Sequence, residues 1–182
     1  MTVTRRRALQ IGMGCLSALA APGLPARAQG EADRYSSDSG EIVVVPVKEA
    51  SLVLQVPGLV IYSDPAGGKR LFENQPAPGL VLICHEHVDH LDISTLGDIV
   101  TADTRLVANR ASAQKLPEEL RAKTIVLANG GTTTIGPVHV EAIPAYHTVP
   151  GYTQYHPKGR DNGYVLTVDG RFLVDGLLEI PS

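Results

Sequence analysis

Apolar positions fall along this chain in short runs. EIVVVPVK (41–48), SLVLQV (51–56) and LVIYSD (59–64) are β-branched stretches of strand length, with Pro57-Gly58 as a turn signal between the last two. They predict a meander closed by Asp64-Pro65-Ala66-Gly67-Gly68. LVLIC (80–84) is apolar throughout, the pattern of a strand covered on both faces. LDISTLGDIV (91–100) has apolar residues at 91, 93, 96, 99 and 100, which is nearer helical spacing. RLVA (105–108) reads as a strand, and Asn109 as the cap of a helix from Arg110 to about Leu116, ended by Pro117. TIVLA (124–128) reads as a strand again. This alternation predicts an α/β layer arrangement. TTTIG (132–136) with VHVEAI (138–143), and GYVLTV (163–168) with RFLVD (171–175), read as hairpins, the second turning at Asp169-Gly170.

The first 28 residues follow a different pattern. TRRRALQ (4–10) precedes an apolar stretch from Leu9 to Leu24, and Ala26-Arg27-Ala28 forms an A-x-A cleavage site. Gly12, Gly14, Pro22 and Gly23 make that stretch too weak for a membrane span. The order Thr-Arg-Arg-x-x-Leu resembles a twin-arginine signal, so 1–28 is expected to be an export signal that delivers a folded protein to the periplasm. The polar segment 29–40 is expected to be a flexible lead-in to a single domain over 41–182. Cleavage would remove Arg5, Arg6, Arg7 and Arg27 and no acid, leaving 12 basic against 19 acidic residues, a net charge of −7. That balance disfavours a nucleic-acid partner, and it gives no attraction to an anionic membrane after cleavage. The one cysteine then remaining, Cys84, rules out an internal disulfide and reads as a core residue of its strand. Stability must come from the core or from metal.

HEHVDH (85–90) follows the buried strand directly, and four of its six residues are metal-ligand types. In an extended segment His85 and His87 point the same way, while Asp89 and His90 fall where the chain turns into the next helix. Imidazole and carboxylate together suit Zn2+ or a similar divalent ion.

H-x-H-x-D-H after a hydrophobic strand resembles the signature of the metallo-β-lactamase fold. The segments IYSDP (61–65), LICHEHVDHLD (82–92), GTTTIGPVHVEAIPAYHT (131–148) and YHPKGRDNGYVLTVDGRFLV (155–174) are similar to the branch typified by L-ascorbate-6-phosphate lactonase. The resemblance implies an αββα four-layer sandwich of the α/β class, here largely its N-terminal half. It implies that His85, His87 and His147 hold a first metal, and that Asp89 and His90 serve a second. Zn2+ is expected, as one or two ions, with Mn2+ or another divalent metal as the alternative. Such a centre activates water for hydrolysis of a small-molecule substrate. Asp89 would be a second-metal ligand or, with one metal, the catalytic acid that orients the water and takes its proton. Asp64 matches the buried acid that supports the metal-binding loop. His156, Lys158 and Arg160 in YHPKGR either contact an anionic substrate or form a solvated turn. His139, alternating with Val138 and Val140, is expected to face solvent.

Two departures concern the second metal. The family carries Gly-Asp-Thr after the strand written here as FLV, whereas this chain reads FLVDGLLEIPS, with the acid, Asp175, one residue early, so that it is a candidate for the second metal only if the strand shifts by one. A one-residue shift in a strand reverses the face a side chain points to. The family's second half, with its last metal-binding histidine, has no counterpart, and no histidine follows His156. Three readings follow: an exported hydrolase, a metal-binding remnant, or a half-protein completed by another chain. A sheet built over 41–175 is expected to leave an apolar face and open edges, and hence to self-associate or to bind a complementing chain.

Overall fold

A computed structural model of the chain describes residues 32–175. The expected signal segment, 1–28, lies outside the described residues, as do 176–182. The strands are β1 (Asp33–Ser37), β2 (Gly40–Lys48), β3 (Ser51–Val56), β4 (Leu59–Ser63), β5 (Leu80–Ile83), β6 (Arg105–Ala108), β7 (Thr124–Val126), β8 (Thr132–Ile135), β9 (Val138–Ala145), β10 (Asp161–Val168) and β11 (Arg171–Asp175). The helices are α1 (Ile93–Ile99), α2 (Arg110–Lys115) and α3 (Glu118–Arg121). One sheet runs β1 to β7 in chain order, and a second is ordered β11-β10-β9-β8.

The first sheet changes character midway. β1 to β4 are antiparallel, because two-residue turns suffice to join them. β4 to β7 are parallel, which requires crossovers, and α1, α2 and α3 lie in them. Two caps start helices where the sequence places them. Asp92 accepts from the Thr95 N–H at 3.1 Å, and Asn109 accepts from the Ser112 N–H at 2.8 Å.

Burial follows the side-chain period of two. One face of the large sheet contributes Ile42, Leu54, Ile61, Leu80, Leu82 and Cys84 to a core shared with Val138, Val140, Tyr164 and Leu166 of the small sheet. The other face sends Val43, Val53, Tyr62, Val81, Ile83 and Leu106 against Leu91, Leu96, Leu116 and Leu120 of the helical layer. All four residues of β5 are therefore buried, as its unbroken apolar run requires.

Two expectations need correction. The segment 29–40 is not a loose lead-in throughout, since β1 pairs with β2 from Asp33↔Val44 to Ser37↔Gly40. An edge strand draws on its ladder of main-chain hydrogen bonds, so its polar, exposed side chains are no obstacle. Nor are the apolar inner faces of β9 and β10 open, because the large sheet covers them. The two sheets cover each other, while the outward face of the small sheet carries the exposed His139 and Glu141 beside the half-buried Ile143 and Val165. His139 is exposed, as its alternation predicts. Three of the four expected layers, helices and two sheets, are present among the described residues.

Candidate metal centre

β5 delivers the ligand loop to the edge of the sandwich. Cys84 is 1% exposed and closes the strand, and His85, next along, is 2% exposed. Beyond it the chain turns tightly, with the N–H groups of His90 and Leu91 both donating to the His87 carbonyl. That turn folds His90 back onto His85, with ring centroids 3.7 Å apart. His85 and His87 lie 4.8 Å apart edge to face.

Asp64 holds this loop from below. It is 1% exposed and sits at φ 43°, a left-handed conformation that Asp tolerates better than most residues. Its Oδ1 accepts from the Cys84 N–H at 2.8 Å, and its Oδ2 meets His90 Nδ1 at 2.7 Å. The main chain is tied down as well: Asp64 N–H donates to the Leu82 carbonyl, and Ser51 Oγ donates to the Asp64 carbonyl. One carboxylate thus orients a candidate ligand and anchors the strand end that carries the others.

The third contribution comes from the other sheet. The segment between β9 and β10 carries His147 and His156. His156 is 6% exposed, and its ring stands 4.6 Å from His85 and 4.7 Å from His87. Potential ligand atoms of His85, His87 and His156 all lie within 4.8 Å of one another. Those of His85, Asp89 and His90 form a second such group. His147 belongs to neither group. Its ring lies 4.8 Å from His156, and its N–H donates to the His156 carbonyl. The expectation that placed His147 as third ligand and His156 among substrate contacts is therefore not the arrangement observed. Eight residues separate the two histidines within a loop, and only the tertiary fold decides which one reaches His85.

The remaining expected residues are also placed. Asp89 is about half exposed, with Oδ2 3.6 Å from His90 Nε2. Lys158 lies over the Tyr146 ring at 5.4 Å. Arg160 turns inward onto Asp161. Asp175 pairs across the ladder with Tyr164, and its side chain is outside the described set. Asp161 escaped the sequence reading. It is fully buried, and its Oδ2 meets His156 Nδ1 at 3.0 Å.

The donor chemistry fits a divalent metal. Burial, followed by repulsion from His90, His156 and His87, lowers the His85 pKa to about 3. Burial also lowers His156, against the opposing pull of Asp161. Both imidazoles are thus neutral near pH 7, the form that ligates metal. His85 is common to both groups. If it serves with His87 and His156, the second group retains Asp89 and His90.

Residues 44–174 match the family model described as "Beta-lactamase superfamily domain". A protein from Parabacteroides distasonis, assigned provisionally as a metal-dependent hydrolase, shares 36% identity at a TM-score of 0.72, over 80% of this chain and 65% of that one. Igni18, a metallo hydrolase from Ignicoccus hospitalis, superimposes at a TM-score of 0.54 with 17% identity, over 72% and 58%. YhfI from Bacillus subtilis, a metallo-β-lactamase fold protein, does so at 0.51 with 20% identity, over 68% and 52%. The last two show likeness of fold alone. The chain spans about two thirds of the Parabacteroides protein's length. No curated protein matches the sequence.

Proposed function

The chain belongs to the β-lactamase superfamily domain family and has the metallo-β-lactamase fold, and on that premise we propose that it is an exported metal-dependent hydrolase of a small-molecule substrate. The observation that carries the proposal is the convergence of His85 and His87 from one sheet with His156 from the other. These residues would hold the first ion, with zinc the choice that best suits three imidazoles. Asp89 and His90 would serve a second. When bound, a divalent metal supplies the Lewis acidity that makes water a nucleophile near neutral pH.

The protein's own residues do the rest. Burial keeps His85 unprotonated and available as a donor. Asp64 fixes His90, and Asp161 fixes His156. Asp89, half exposed beside the histidines, is the acid that can orient water and accept its proton. Export rests on TRRRALQ and the A-x-A site, and delivery to the periplasm should fail when Arg5 and Arg6 are both replaced by Lys.

The sharing of His85 favours a second reading, a protein that binds one metal and does not hydrolyse. Metal analysis combined with a panel of lactone, phosphodiester and β-lactam substrates separates the two. Turnover that rises with added zinc supports the hydrolase. Stoichiometric zinc with no turnover on any of the three classes supports the binding protein. A protein that retains no divalent metal refutes both.

A further inference from the structure

The two sheets are joined beside the metal centre by a short ladder of polar contacts. Tyr164 Oη donates to the Ile83 carbonyl at 2.9 Å, and the Asn162 N–H donates to the Cys84 carbonyl at 3.1 Å. One step nearer the mouth the same alternation reaches Arg160 and Glu86. Glu86 lies between His85 and His87, with Oε1 3.9 Å from Arg160 Nη1 and Oε2 3.4 Å from Lys115 Nζ. Arg160 forks onto Asp161, with Nε to Oδ1 at 2.9 Å and Nη2 to Oδ2 at 3.0 Å. Nη2 also donates to the Tyr155 carbonyl, just before His156. Asp161 Oδ2 in turn meets His156 Nδ1.

This arrangement explains a buried carboxylate that would otherwise be costly. Asp161 has no exposure to water, and the planar guanidinium satisfies both its oxygens. With Arg160 on one side, Asp161 acts as acceptor toward His156. That fixes the hydrogen on Nδ1 and leaves the Nε2 lone pair for the metal. We propose that Arg160 is a positioning residue for the metal centre: through Asp161 and the Tyr155 carbonyl it sets the tautomer and placement of His156, and its reach to Glu86 registers that histidine against the His85–His87 loop. The fork to Asp161 is the tight part of the link. The 3.9 Å approach to Glu86 is loose and partly exposed, so it aligns the loops more than it binds them. The inference rests on the reading of His85, His87 and His156 as a metal site.

The test is zinc affinity, measured on the full chain by competition with a chromophoric chelator. Arg160→Lys keeps the charge but cannot make the fork. Arg160→Lys and Arg160→Gln should each weaken zinc binding by about 10- to 100-fold, the usual cost of losing an outer partner of a ligating histidine. Lys115→Gln, which removes an ion pair to Glu86, should change it by no more than about twofold. In a His156→Ala background, titrated at the higher zinc concentrations its residual weak binding requires, Arg160→Lys should change that residual affinity by no more than about twofold, because its action runs through that ring. Thermal melts of the metal-free proteins separate a local effect from unfolding: Arg160→Lys should melt below the parent, because Asp161 loses its fork, yet keep one cooperative transition above the assay temperature. Zinc binding by Arg160→Lys equal to that of the parent would overturn the proposal. So would a full additional loss in the His156→Ala background. A parent that binds no zinc would instead refute the site itself.

Discussion

Asp64 offers a direct test of how this site is supported. Asp64→Ala removes both acceptors and also puts a residue less tolerant of φ 43° at this position. The Cys84 N–H, accepted by Oδ1 at 2.8 Å, would be left unpaired beside a residue that is 1% exposed. An orphaned buried donor costs about 1–3 kcal/mol, and loss of the contact to His90 adds about 1–2 kcal/mol, so a total of roughly 2–5 kcal/mol is expected. Against a typical stability of about 5–15 kcal/mol the variant should still fold. Asp64→Asn separates the two roles. Its amide oxygen can still accept from Cys84, but its NH2 would face His90 Nδ1, where the carboxylate now sits at 2.7 Å. That turns Nδ1 into the acceptor and places the hydrogen on Nε2, the nitrogen a metal would need. Asp64→Asn should therefore lose less stability than Asp64→Ala and yet bind a second equivalent of zinc poorly. Urea denaturation of the metal-free proteins and zinc titration read the two effects. If Asp64→Ala unfolds within about 0.5 kcal/mol of the parent at equal m-value, the supporting role is refuted.

The histidines and the pH response give two further tests. His156→Ala should abolish tight zinc binding, as should His85→Ala, while His147→Ala should retain it more fully; elemental analysis after dialysis decides, and the reverse order would restore His147 as the third ligand. The His85 pKa of about 3 in the folded chain lies below its ordinary 6.5, so the folded state binds fewer protons between those values. Its contribution is intact above about pH 6.5 and is lost as pH falls toward 3. The urea midpoint of the metal-free protein should fall from pH 7 to pH 4.5, and by less in His85→Gln; an equal fall in both would show that His85 is not the group responsible.

Much of this protein is legible in its sequence because the governing interactions are local. The runs 41–48, 51–56 and 59–64 alternate or cluster their apolar residues as strands must, and they pair in chain order. The unbroken run at 80–83 announces burial on both faces. Asn109 announces a helix start, and its side chain makes the bond expected of it. His85, His87, Asp89 and His90 lie within six residues, so backbone geometry alone brings them near one another.

What the sequence could not decide depends on approach across space. β1 is polar, and only the exposed ladder edge of β2 makes it a strand. The apolar inner faces of β9 and β10 look open in isolation, and the opposing sheet covers them. The choice between His147 and His156 follows from where the loop between β9 and β10 returns over β5, a path that no local pattern specifies. Arg160 reads equally as a substrate contact or part of a solvated turn, and Asp161 carries no local signal, until the two sheets bring them against Glu86 and His156. The sequence determined most of the elements and half of the candidate metal centre, because hydrophobic period and ligand spacing act over a few residues. The tertiary structure decided the other half, because a coordination site closes only where separate sheets meet.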